Sequence, residues 1–91
     1  LHDDMVIGND DIAFATRAGV LIAFNVRSGK DLWRWDSNLP EITVFAALAN
    51  GHCLVQTDTA LVEVESSTKS KEILKGKAMM GWNGQMYLKH N

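Results

Sequence analysis

The sequence predicts an all-β chain of four-stranded antiparallel meanders, and three observations along its 91 residues carry that expectation. Gly- and Asn-rich turns recur every few residues, and the runs between them are rich in β-branched and aromatic residues. A unit of about 40 residues also repeats. No helical periodicity persists beyond a turn or two, and the only proline is Pro40.

The strands follow in order. In the first unit they are expected at residues 4–7, 11–17, 20–26 and 30–36. Ala18-Gly19 joins the second to the third as a hairpin, because glycine accepts the positive φ that a tight turn needs, and Ser28-Gly29 does the same before the fourth. The tract Asn9-Asp10-Asp11-Ile12-Ala13-Phe14-Ala15-Thr16 then recurs as Asn50-Gly51-His52-Cys53-Leu54-Val55-Gln56-Thr57, 41 residues on. The following stretch from Leu21 to Trp33 matches Leu61 to Ile73 if one residue is deleted in the second hairpin turn. This places the second unit's strands at residues 42–48, 52–58, 60–65 and 71–75. A weaker third copy begins at Asn83, with strands expected at residues 78–82 and 85–89.

A meander of four short strands repeating every forty residues is the sequence pattern of a β-propeller blade. The expected organisation is a first blade over residues 1–38, a second, degenerate blade over 39–77 and the start of a third over 78–91. Residues 20–24 are apolar throughout, as a central strand covered on both faces requires. About two and a half blades cannot close a ring, so the chain reads as a fragment of a larger propeller or as a piece that self-associates through blade edges.

Composition narrows the function classes. The chain is 46% hydrophobic and 22% charged, enough to form a core. Nine Lys and Arg against eleven Asp and Glu give a net charge of −2, which offers no basic field for nucleic acid. The single cysteine, Cys53, excludes an intrachain disulfide and any multi-thiolate metal site. The longest apolar run, residues 44–49, is far short of the roughly 20 residues of a membrane-spanning helix, and no signal-peptide pattern is present.

One segment carries a more specific signal. Within the run from Ala23 to Trp33, the residues Ala23, Asn25, Ser28, Gly29 and Trp33 stand at the spacing Ala, any, Asp or Asn, two of any, Thr or Ser, Gly, three of any, Trp. This resembles the tryptophan-docking motif of the pyrroloquinoline-quinone-like (quinoprotein-type) propeller repeats, and Gly19-Val20-Leu21 resembles that family's approach to it. The resemblance implies that Trp33 packs against a neighbouring blade and that Asn25 with the Ser28-Gly29 turn holds the connection between the third and fourth strands. The second unit departs from the motif, with Glu63, Glu65, Lys69 and Ile73 at four of its positions and only Thr68 in register. Trp35-Asp36 and Gly51-His52 invite comparison with WD repeats, but the order of the two dipeptides does not fit that family.

Chemistry-bearing residues are few. Asp3, Asp4, Asp10 and Asp11 offer oxygen ligands, yet lack the spacing of a calcium loop and read as solvated turns. His2, His52 and His90 are dispersed, and alternation along a strand points His52 and Cys53 to opposite faces, which argues against a nucleophilic dyad. Cys53 is expected as a buried structural thiol. Trp33, Trp35 and Trp82 are assigned to packing, and Lys69, Lys71, Lys75 and Lys77 to edge decoration. The expectation is a non-catalytic scaffold module with no catalytic, metal or cofactor residues of its own, binding protein partners. The resemblance implies a bacterial periplasmic setting. The competing expectations are part of a quinone-dependent dehydrogenase whose site lies on other blades, or a WD-repeat interaction propeller.

Overall fold

The computed structural model describes residues 4–80 and 86–89, and the side chains of residues 5–77. Its strands are β1 (Asp4–Ile7), β2 (Ile12–Arg17), β3 (Val20–Asn25), β4 (Asp31–Asp36), β5 (Thr43–Ala47), β6 (Cys53–Gln56), β7 (Ala60–Val64), β8 (Ser70–Lys75), β9 (Lys77–Met80) and β10 (Met86–Lys89). Each begins and ends within two residues of the expected strand, and no helix occurs among the described residues. β1 to β4 form one four-stranded antiparallel sheet in sequence order, β5 to β8 form another, and β9 pairs with β10. Residues 81–85, Trp82 among them, and His2, Asp3 and His90 lie outside the described residues.

The hairpin between β2 and β3 shows why the strands fall where they do. Arg17 pairs with Val20, and the two turn residues, Ala18 and Gly19, have φ of 48° and 81°. Two successive positive φ values match the right-handed twist of the flanking strands. Gly19 is also needed sterically, since a Cβ there would stand 1.8 Å from the carbonyl oxygen of Leu39. That contact exists because the segment after β4 folds back over the hairpin: the Ser37 backbone N–H and hydroxyl both donate to the Gly19 carbonyl, at 3.1 and 2.7 Å. The chain leaving the first sheet is thereby fixed in direction before it enters the second.

The two sheets stack face to face, with β5 against β1 and β2. The first sheet contributes Phe14, Leu21 and Ala23 to the shared core, and the segment from Ile42 into the second sheet contributes Ile42, Val44, Cys53, Val55 and Val64. Val6, Trp33, Trp35, Ala47 and Val62 pack around these. Alternation along the strands puts Met5, Ile7, Ala13, Ala15, Ile22 and Phe24 on the first sheet's other face, and Leu54, Gln56, Leu61 and Glu63 on the second sheet's other face. β9 lies against β7, and Leu61 is fully buried.

The ladders correct the repeat register. Thr16 pairs with Leu21, and the equivalent pair in the second sheet is Gln56 with Leu61, so the hairpins superpose at 40 residues and Phe14 corresponds to Leu54, not to Val55. A slip of one residue exchanges the faces of a strand. Aligning the Asn-containing turns at 41 residues matches Phe14, which faces the second sheet, with Val55, which faces the first. With the register corrected, the face of the first sheet that meets the second is equivalent to the face of the second that points onward. The sheets are stacked in one sense.

Candidate functional site

The corner between β3 and β4 is built from the residues the motif singles out. Asn25 ends β3, and its Oδ1 accepts the backbone N–H groups of Arg27 and Ser28 at 2.9 and 3.0 Å. Ser28 Oγ accepts the N–H of Lys30 at 3.3 Å. Gly29, at φ 74°, donates its N–H to the Asn25 carbonyl at 2.7 Å, and the Asn25 N–H donates to the carbonyl of Lys30 at 2.9 Å. An amide side chain thus closes the turn, and a glycine accepts its left-handed conformation.

Ala23 and Trp33 are directly paired across β3 and β4. Ala23 is fully buried, and the half-buried Trp33 lies against the core that both sheets share. The Trp33 ring centroid is 6.0 Å from that of Phe14, with the planes tilted by 52°. The small Ala23 leaves room for the indole, and a large tilted ring contributes both buried area and a favourable aromatic contact. Between Ala23 and Phe24 the ladder shifts, so that Phe24 pairs with Asp31 and Leu32 is the extra residue on β4, 52% exposed.

The same position in the second sheet carries different chemistry. On the 40-residue register Ala23 becomes Glu63, whose Oε2 lies 2.6 Å from His52 Nδ1. His52 Nε2 lies 3.4 Å from Glu65 Oε1, and Lys69 Nζ is 3.2 Å from Glu65 Oε2. The Asn50 side chain completes the group: its Oδ1 accepts the His52 backbone N–H at 3.0 Å, and its Nδ2 is 3.1 Å from His52 Nδ1. The hydrogen bond from His52 holds the Glu63 carboxyl below its ordinary value of 4.5, against the opposing pull of burial and with further lowering from Lys71. His52, Glu63, Glu65, Lys69, Ser70 and Lys71 line a shallow cavity of about 160 Å³.

This arrangement limits what the cluster can do. The two carboxylates meet opposite nitrogens of one imidazole, so they cannot share a single metal ion with it. Among the described residues no group of three His, Cys, Asp or Glu side chains is placed to hold a metal. Cys53 is fully buried in the inter-sheet core, whereas Glu63, the partner of His52, lies on the opposite face of the second sheet. Asp11 is held by Arg27 at 2.8 Å.

Sequence reasoning missed this cluster. Its members span residues 50–69, and the pairing of Cys53 with Val64 brings His52 level with Glu65. The signal lay in the very departures from the docking motif, since Glu63 and Glu65 replace an alanine and an asparagine of the first unit. Comparison of the chain with protein-family models, with curated proteins and with solved structures finds no match.

Proposed function

We propose that this chain is a non-catalytic repeat module of a β-propeller, of the kind the Ala23-to-Trp33 motif resembles, and that it serves as a scaffold for protein partners. The observation that carries this reading is the stacking sense: two four-stranded meanders joined by a stapled linker, with the same face of each pointing onward. Stacking in one sense is the arrangement of a repeat array, which can be extended by further units. The tryptophan corner supports the reading at the level of side chains.

The surface suits binding better than turnover. Met5 and Ile7 are 55% and 66% exposed on the face turned away from the second sheet, and Leu32 is 52% exposed on the edge strand β4. Exposed apolar side chains at a sheet face and edge are where a partner's strand or side chains would gain most from association. An extracytoplasmic setting belongs to the same proposal and rests on the resemblance alone.

Site-specific photocrosslinking tests it. With a crosslinking residue at Ile7 or Leu32, the scaffold reading expects discrete protein adducts identifiable by mass spectrometry, and none from an exposed polar control position such as Arg27. Absence of adducts at both positions, together with a saturable absorbance change on adding quinone, would favour the dehydrogenase reading instead.

A further inference from the structure

We propose that His52 Nε2 and Glu65 Oε1 form a site for a divalent cation of the zinc class, with the Glu63 carboxylate bracing the imidazole from behind and water filling the remaining positions.

Glu63 decides where the ring carries its hydrogen. An ionised carboxylate only accepts hydrogen bonds, so the 2.6 Å contact with Glu63 Oε2 puts a hydrogen on His52 Nδ1. The contact has the length of a charge-assisted bond, and the same carboxyl also takes a hydrogen bond from the Asn50 side chain. Asn50 is itself fixed, because its Oδ1 accepts the His52 backbone N–H at 3.0 Å. The lone pair of the neutral ring therefore sits on Nε2, the nitrogen beside Glu65. An imidazole that donates from one nitrogen to a carboxylate and keeps the other as a lone pair has the usual form of a metal ligand.

Distance supplies the second argument. Nε2 and Glu65 Oε1 stand 3.4 Å apart, which is long for an N–H···O hydrogen bond. Two ligands of one tetrahedral ion, each bonded at about 2.0–2.1 Å, stand about 3.3–3.4 Å apart. Lys69 holds the other oxygen of Glu65, Oε2, at 3.2 Å, so this carboxylate offers the ion a single oxygen. One imidazole nitrogen with one carboxylate oxygen suits zinc, copper or nickel, whereas magnesium and calcium call for oxygen ligands.

The fold sets the pair side by side and leaves it accessible. His52 precedes β6 and Glu65 follows β7, and the pairing of Cys53 with Val64 brings them level. Both line the shallow cavity, through which an ion reaches them from solvent. Lys71, which lines the same cavity, is matched across β7 and β8 with Glu63. Two protein ligands fall short of the three that hold a catalytic zinc, so the site has modest affinity and exchangeable water positions. The inference rests on the ring's own contacts and stands whether or not the chain is a propeller module.

Nitrogen-15 NMR of the histidine side chains during titration with zinc chloride at neutral pH tests it on the unmodified chain. The expected result is a saturable shift of His52 Nε2 while Nδ1 keeps its hydrogen, with no shift on adding magnesium. His52→Ala should abolish this binding and Glu65→Gln should weaken it at least tenfold. Glu63→Gln, which removes no ligand, should weaken it about tenfold through the ring it braces. Backbone spectra confirm that each variant keeps the fold. Zinc held only at His2 or His90, a His52 ring unmoved at millimolar zinc, or an equal response to magnesium would overturn the site. Full affinity in Glu65→Gln would remove Glu65 as a ligand, and full affinity in Glu63→Gln would remove the brace; either would contradict the proposal.

Discussion

At the scale of single residues, two glycines with positive φ have very different reasons to be glycine. Gly29, at φ 74°, has nothing within 4 Å of the place a Cβ would take, whereas a Cβ on Gly19, at φ 81°, would collide with the backbone of Leu39. Gly29→Ala is therefore expected to cost about 1 kcal/mol of backbone strain. Gly19→Ala adds a collision that only movement of the inter-sheet linker can relieve, and should cost more than about 3 kcal/mol. Chemical denaturation of the two variants checks the ranking; equal losses would mean that the linker does not rest on the hairpin. Asn25→Ala, which deletes two hydrogen bonds to an exposed turn, is expected to lose about 1 kcal/mol in the same assay.

The titration of Glu63 also belongs at this scale. Its carboxyl is held below 4.5 in the folded chain, so the contribution to stability is present above that value and is lost as pH falls through the folded-state titration. Unfolding midpoints of the wild type and Glu63→Gln should differ at neutral pH and converge in acid. A gap that instead widened on acidification would contradict the assignment of His52 as the group that holds it.

At the scale of elements, the strands were legible because β-branched and aromatic runs alternate with glycine-bearing turns, and nothing in the sequence competes with that pattern. The register between units was not. Matching Asn9 with Asn50 weights the turns, but the ladder is set by the hairpin, where Thr57 and Ala60 are tied by their own hydrogen bonds and Gln56 faces Leu61. An irregularity at Phe45 absorbs the extra residue on β5. The Trp33 corner was legible because all its parts are local, within eleven residues of chain. The His52 cluster was not, since the partners approach only once β6 and β7 pair.

Trp33 is the element-scale test of packing. Replacing it by alanine removes a half-buried ring set against Phe14 and the shared core, and should cost about 3 kcal/mol, with Trp33→Phe recovering part of the loss. Hydrogen exchange sharpens the point. Amides of β5 and β6 in the second sheet should exchange faster in Trp33→Ala along with those of β3 and β4. A loss of protection confined to β4 would show that the indole decorates one sheet and does not join two.

At the scale of the whole molecule, the account depends on the two meanders being stacked through Phe14, Leu21 and Ala23 on one side and Val44, Val55 and Val64 on the other. Two separate four-stranded sheets, each burying one face alone, would satisfy the same strand pattern in the sequence, and the scaffold reading would lose its array. The exposed Met5 and Ile7 would also lose their meaning as the outer face of a stack. Nuclear Overhauser contacts between selectively labelled methyl groups and the Phe14 ring test the stacking most directly. The account predicts contacts from Phe14 or Leu21 to Val44 or Val55; a spectrum in which every such contact stays within a single sheet would contradict it.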